Sequence, residues 1–121
     1  LVLFAHERLD VYQKAIEFVA WGQILLDSLP PGATARAHLE RASTSIPLNI
    51  AEGGAKRSKR DRARYWQVSL GSALECAAIL DVLVARGLKS TEEVRKGKQI
   101  LDRVAAMLMT LLKGLGSRVA D

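Results

Sequence analysis

The stretch SKRDRARYWQVSLGSALECAAILDVLVARG, residues 58–87, reads as one long helix, and its rows of apolar residues decide the architecture. Ser58 is placed to cap the first turn, with Asp61 three residues on reaching back in a variant of the capping box. Trp66, Leu70, Ala73, Ala77, Leu80 and Val84 follow at steps of three and four, which sets them on one helical face. Gly87 ends the helix. Tyr65, Ser72, Cys76, Ile79 and Leu83 form a second row, and Gly71, Ala78 and Ala85 recur every seven residues on a third. A helix apolar nearly all round is normally buried nearly all round, whereas a bundle monomer covers only part of each helix. The third row therefore predicts contact with another subunit, where small side chains let helices approach closely.

Working upstream, residues 33–53 carry Leu39, Ala42, Ile46, Asn49 and Ile50 on one face and close at Gly53-Gly54, a natural helix stop. Pro47 lies inside this segment; it frees the carbonyl of Ser43 and predicts a kink, with Ser43, Thr44 and Ser45 available to satisfy the freed groups. Residues 10–29 set Tyr12, Ala15, Val19, Gly22, Leu26 and Leu29 on one stripe, and Pro30-Pro31-Gly32 ends it. Trp21 and Ile24 fall on the face that Asp10, Lys14 and Glu17 otherwise make polar, so they join Gly71, Ala78 and Ala85 as expected interface residues. Downstream, Ser90-Thr91-Glu92-Glu93 is a serine cap with glutamate at the third position. Val94, Leu101, Val104, Leu108, Leu111 and Leu115 then continue a helix over about residues 91–116, diluted only by Gly97. Four amphipathic helices (10–29, 33–53, 59–86, 91–116) joined by short connections predict an all-α fold, a single domain over residues 1–121. Its form is an antiparallel up-down-up-down four-helix bundle, the second helix kinked at Pro47.

Composition narrows the function classes. The 121 residues are 49% hydrophobic and 26% charged, which is globular rather than disordered. No stretch approaches the roughly 18 to 20 uncharged apolar residues that cross a bilayer. The opening Leu1-Val2-Leu3-Phe4-Ala5 is too short for the apolar part of a signal peptide and has no basic segment before it. Cys76 is the single cysteine, which excludes an internal disulfide and fits a reducing cytoplasm. Eighteen Lys and Arg against thirteen Asp and Glu give a net charge of +5, which favours an anionic partner.

Position says more than the sum. Lys56, Arg57, Lys59, Arg60, Arg62 and Arg64 place six of the eighteen cations in nine consecutive positions. Lys56 and Arg57 follow the second helix and complement its negative end, but the other four enter the positive end of the third, where each cation costs about 0.3 to 1 kcal/mol. Stability does not account for them. Phosphate binding does, because Lys and Arg neutralise phosphates and release counterions. No aromatic platform interleaves the cations, since Tyr65 and Trp66 read as core, so binding is expected to be electrostatic and tolerant of sequence.

Catalytic patterns are missing. A di-metal bundle needs Glu-x-x-His pairs, and neither His6 nor His38 has helical spacing to a suitable glutamate. Glu52 and Glu75 are placed to approach each other between the second and third helices, yet without a histidine or metal loop they read as structural acceptors. The arginine-to-histidine spacing of helical toxin ribonucleases is absent, as is a Walker phosphate loop. The expectation is no enzyme, no cofactor and no metal.

Arg41-Ala42-Ser43-Thr44-Ser45-Ile46-Pro47-Leu48-Asn49-Ile50-Ala51-Glu52-Gly53 resembles the signature of the four-helix-bundle family named for proteins encoded within intervening sequences of bacterial 23S rRNA genes. The resemblance continues through Ser58, Asp61 and Gly71-Ser72-Ala73-Leu74-Glu75-Cys76, includes Leu9-Asp10-Val11-Tyr12-Gln13-Lys14-Ala15, and weakens over the last helix. It implies a homopentameric ring without enzymatic activity. It also implies kinship with accessory proteins of diversity-generating retroelements, which bind nucleic acid and a reverse transcriptase. Asn49, Glu52, Gly53, Ser72 and Glu75 match the signature, and the polar ones are expected to bond between the second and third helices and fix their register. Two functions follow as expectations: an oligomer that binds structured RNA or DNA through residues 56–64, or a protein-interaction scaffold with no direct nucleic-acid contact.

Overall fold

A computed structural model describes residues 3–116. A short 3-10 turn, Ala5–Arg8, precedes four helices: α1 (Asp10–Asp27), α2 (Thr34–Ala55), α3 (Lys59–Ala85) and α4 (Thr91–Gly114). Each helix packs on its neighbours in the chain and α4 closes on α1, while the backbones of the diagonal pairs stay further apart, as in an up-down-up-down bundle. Antiparallel register shows in contacts whose numbers fall on α2 as they rise on α3. Trp66 donates to the carbonyl of Ile50 at 3.1 Å, Ser69 to that of Ile46 at 2.9 Å, and Arg41 bridges to Glu75 at 3.1 Å. The core runs the length of the bundle, with Phe18, Leu39, Ile46, Ile50, Leu80, Leu83, Val104, Leu108 and Leu112 fully enclosed.

Local chemistry sets the helix ends. Ser90 and Glu93 form a complete capping box on α4, with bonds of 3.0 Å and 2.9 Å. At α3 only half of the expected box forms: the Ser58 hydroxyl accepts from the Asp61 amide at 3.1 Å, and the shorter aspartate does not return the bond. The α3 terminus is a Schellman motif in which Gly87 takes φ +74°, Gly87 N–H bonds the Val84 carbonyl and Leu88 N–H bonds that of Leu83.

Four expectations need correction. Gly53-Gly54 does not stop α2, which runs on to Ala55, because both glycines lie under other side chains. A Cβ on Gly53 would stand 2.5 Å from Cδ1 of Trp66, and Gly54 faces Leu9 and His6. Packing there offsets the poor helix propensity of glycine. Gly97 is likewise no mere dilution of α4, because the Trp21 ring lies directly over its bare backbone. Trp21, expected at a subunit interface, is thus spoken for within the chain, resting on Gly97 and beside Phe18 with ring centroids 5.7 Å apart. Lastly, α3 contains an 18-residue window of mean hydropathy 1.8, long and apolar enough by length and composition to cross a membrane. A count of uncharged residues missed it because Glu75 and Asp81 interrupt the run. α2 remains one helix through Pro47.

Candidate nucleic-acid interface

The turn from α2 into α3 spans three residues, Lys56 to Ser58, so the cations around it are held on a short, defined path. They sort by partner. The Arg62 guanidinium turns inward and donates from Nε to the carbonyl of Lys56 at 2.7 Å, satisfying a backbone group at the end of α2. Lys56 lies 3.7 Å from Glu52 and 5.1 Å over the ring of Tyr65, while Arg64 lies 5.0 Å over the same ring. Tyr65 is therefore a half-buried ring braced by two cations rather than a core residue, in contrast to Trp66, which is buried as expected. Arg57, Lys59 and Arg60 are exposed and form no ion pair with the described residues.

The topology adds two cations that the linear segment did not include. The end of the bundle that holds the start of α3 also holds the start of α1 and the end of α4, which brings exposed Arg8 and Lys113 to the same end. Their place there follows from helix direction rather than from nearness in sequence.

The signature residues do another job. Asn49 donates to the Ser45 carbonyl and hydroxyl, both at 2.9 Å, and the Ser45 hydroxyl meets that of Ser72 at 2.8 Å. Asn49 therefore bonds within α2 and reaches α3 only through Ser45, while Ser45–Ser72, Arg41–Glu75 and the Trp66 bond to Ile50 clamp α2 to α3. Glu52 takes no part, pairing along its own helix with Lys56. Glu52 and Glu75 thus have separate basic partners and do not come together as a carboxylate pair. Ile24, Gly71, Ala78 and Ala85 are exposed.

The model of the family described as 23S rRNA-intervening sequence protein matches residues 7–110. The chain belongs to that family. A similar solved structure comes from Bacteroides thetaiotaomicron and is described as a protein of unknown function from the S23 ribosomal protein family. It superposes with a TM-score of 0.80 at 22% identity, over 85% of this chain and 98% of that one. At that identity the likeness concerns the fold. No curated protein matches the chain.

Proposed function

We propose that this chain is a non-enzymatic, cytoplasmic, oligomeric nucleic-acid-binding protein whose copies form a ring, a homopentamer as the family resemblance implies. Its ligand is structured RNA or DNA. The observation that supports this most is the group Arg57, Lys59 and Arg60, exposed and without carboxylate partners among the described residues, with Lys59 and Arg60 at the positive end of α3, where cations oppose the helix dipole. Arg64, Arg8 and Lys113 extend the patch at that end of the bundle. Phosphates remove the mutual repulsion and release counterions, so the arrangement becomes favourable only with an anion in place.

The test is a titration of the full chain with an RNA hairpin and with duplex DNA at several salt concentrations. Neutralising four phosphates per protomer predicts a slope of log K against log salt of roughly −3 to −4 on duplex DNA. Replacing Arg57, Arg60 and Arg64 with Glu should abolish binding without loss of helix content. Absent binding at low salt, or binding indifferent to those replacements, removes the proposal in favour of a scaffold that contacts protein alone.

A further inference from the structure

The fold brings to the cations an aromatic group that is distant from them in sequence. The 3-10 turn Ala5–Arg8 packs against the start of α1 and the end of α2, which carries Phe4 and His6 to the cationic end of the bundle. Their rings lie nearly parallel, with an interplanar angle of 12° and centroids 5.9 Å apart, and Tyr12 meets His6 edge-on at 4.7 Å. Phe4 ends this stack and is 63% exposed. Its backbone is nonetheless fixed by reciprocal bonds: Phe4 N–H donates to the Glu7 carboxylate at 3.0 Å, and Glu7 N–H to the Phe4 carbonyl at 3.1 Å. Gln13 on α1 donates to the Glu7 carbonyl at 2.9 Å and ties the turn to the bundle.

The stack stands beside the cations. His6 lies against Gly54 on the last turn of α2, where a Cβ on that glycine would be 4.0 Å from its own. Arg57 comes three residues after Gly54, at most about 11 Å along the chain. Arg8 follows His6 by two residues and is exposed. The carboxylate of the turn, Glu7, is engaged by the Phe4 amide, and Asp10 sits at the positive end of α1, which it complements. Tyr65 is placed differently, since Lys56 and Arg64 already lie over its ring. An exposed aromatic ring next to unpaired cations has the two parts of a single-strand site, a face for a base and charges for the flanking phosphates. Duplex offers it little, because paired bases keep their faces inside their own stack.

We propose that Phe4 is a stacking seat for an unpaired nucleobase, so that the cationic end of the bundle prefers single strands and hairpin loops to uninterrupted duplex. This rests on the nucleic-acid-binding part of the proposed function and names the class of ligand it takes. The base continues the stack that His6 and Phe4 begin, while its neighbouring phosphates lie against Arg8 and Arg57. Because every base has a π face, the seat selects strandedness and not sequence.

Titration of the full chain with an oligouridylate and with duplex DNA tests this, using Phe4→Leu, which keeps the apolar bulk, and Phe4→Tyr, which keeps the ring. Phe4→Leu should weaken single-strand binding by roughly 5- to 150-fold, the worth of stacking one base on an aromatic ring, and leave duplex binding unchanged. Phe4→Tyr should bind both ligands as the parent chain does. The slope of log K against log salt should be the same for Phe4→Leu as for the parent, because no phosphate contact is lost, whereas Arg57→Met should make it shallower. A stacking-sensitive fluorescent purine placed in the single strand should be quenched by the parent and not by Phe4→Leu. Phe4 lies outside the four helices, so helix content should not change. Single-strand affinity indifferent to Phe4→Leu, or equal losses on both ligands, overturns the proposal and leaves the nucleic-acid reading standing. No binding of either ligand at low salt removes that reading, and the proposal with it.

Discussion

Gly53→Ala puts a close contact between α2 and α3 to the test. Its new methyl carbon would stand 2.5 Å from Cδ1 and 2.6 Å from Nε1 of Trp66, and 3.2 Å from the Arg62 carbonyl. None of these partners is a flexible chain end: Trp66 is 6% exposed and its Nε1 is bonded to the Ile50 carbonyl. Overpacking of this kind costs about 1–3 kcal/mol. Displacing the ring far enough to lose its hydrogen bond adds about 1 kcal/mol. The better helix propensity of alanine returns about 1 kcal/mol. The net expectation is a loss of about 1–3 kcal/mol, or a fall in melting temperature of roughly 4–12 °C for a chain of this size. Thermal unfolding followed by circular dichroism, at one protomer concentration throughout, measures it. Combining Gly53→Ala with Trp66→Leu should then cost less than the sum of the two single changes, because the smaller side chain vacates the space. A rise in melting temperature for Gly53→Ala, or strict additivity in the double variant, refutes the reasoning.

Arg62→Met should lower stability by about 1 kcal/mol through loss of the bond to the Lys56 carbonyl, while weakening nucleic-acid binding less than Arg60→Met does; melting and titration together check the split. Ser90→Ala should destabilise by about 1 kcal/mol by uncapping α4, read from the unfolding midpoint in urea. The Glu93 carboxyl is held below its ordinary range by the Ser90 amide and by Lys89. Its stabilising contribution is therefore present above the unfolded value, about 4.3, and lost as pH falls through the depressed folded value; Glu93→Gln should flatten the acid limb of the stability profile. Cys76, pushed up to about 12 by burial, should resist maleimide at pH 8 in the native state and react at the rate at which the bundle opens.

Helix periodicity was enough to place the four helices, though not the 3-10 turn Ala5–Arg8, because the stripes on all four face a common core and each stripe survives a residue or two of boundary error. What it misjudged were residues whose role depends on a partner far along the chain. Gly53 looks like a stop signal until Trp66 is laid on it, and Gly97 looks like a flaw until Trp21 is. Both glycines are holes cut for an indole, and nothing near either in sequence announces the ring. The cations show the same limit. Arg62 and Arg60 are two residues apart and equal in composition, yet one turns in to a backbone carbonyl and the other is left in solvent. Ser72 and Glu75 were legible as links to α2, but Glu52 was not separable from them, since its turn toward Lys56 rather than α3 is a matter of helix phase.

The oligomeric and nucleic-acid-binding parts of the proposed function meet on α3. Its outward row runs from Arg60 and Arg64 through Gly71 and Ala78 to Val82 and Ala85, so one surface is cationic where the helix starts and apolar where it continues. Copies joined through the apolar part bring their cationic parts to one end of the assembly, and repulsion among them opposes the joining. A bound polyanion removes that repulsion and spans several copies at once, which raises affinity through effective concentration without any new contact. Assembly and nucleic-acid binding are then linked reciprocally: whatever strengthens one strengthens the other by the same free energy. The cost of placing cations at the positive end of a helix is thereby recovered only in the complex, which gives a physical reason for the clustering of charge at a site that destabilises the isolated chain.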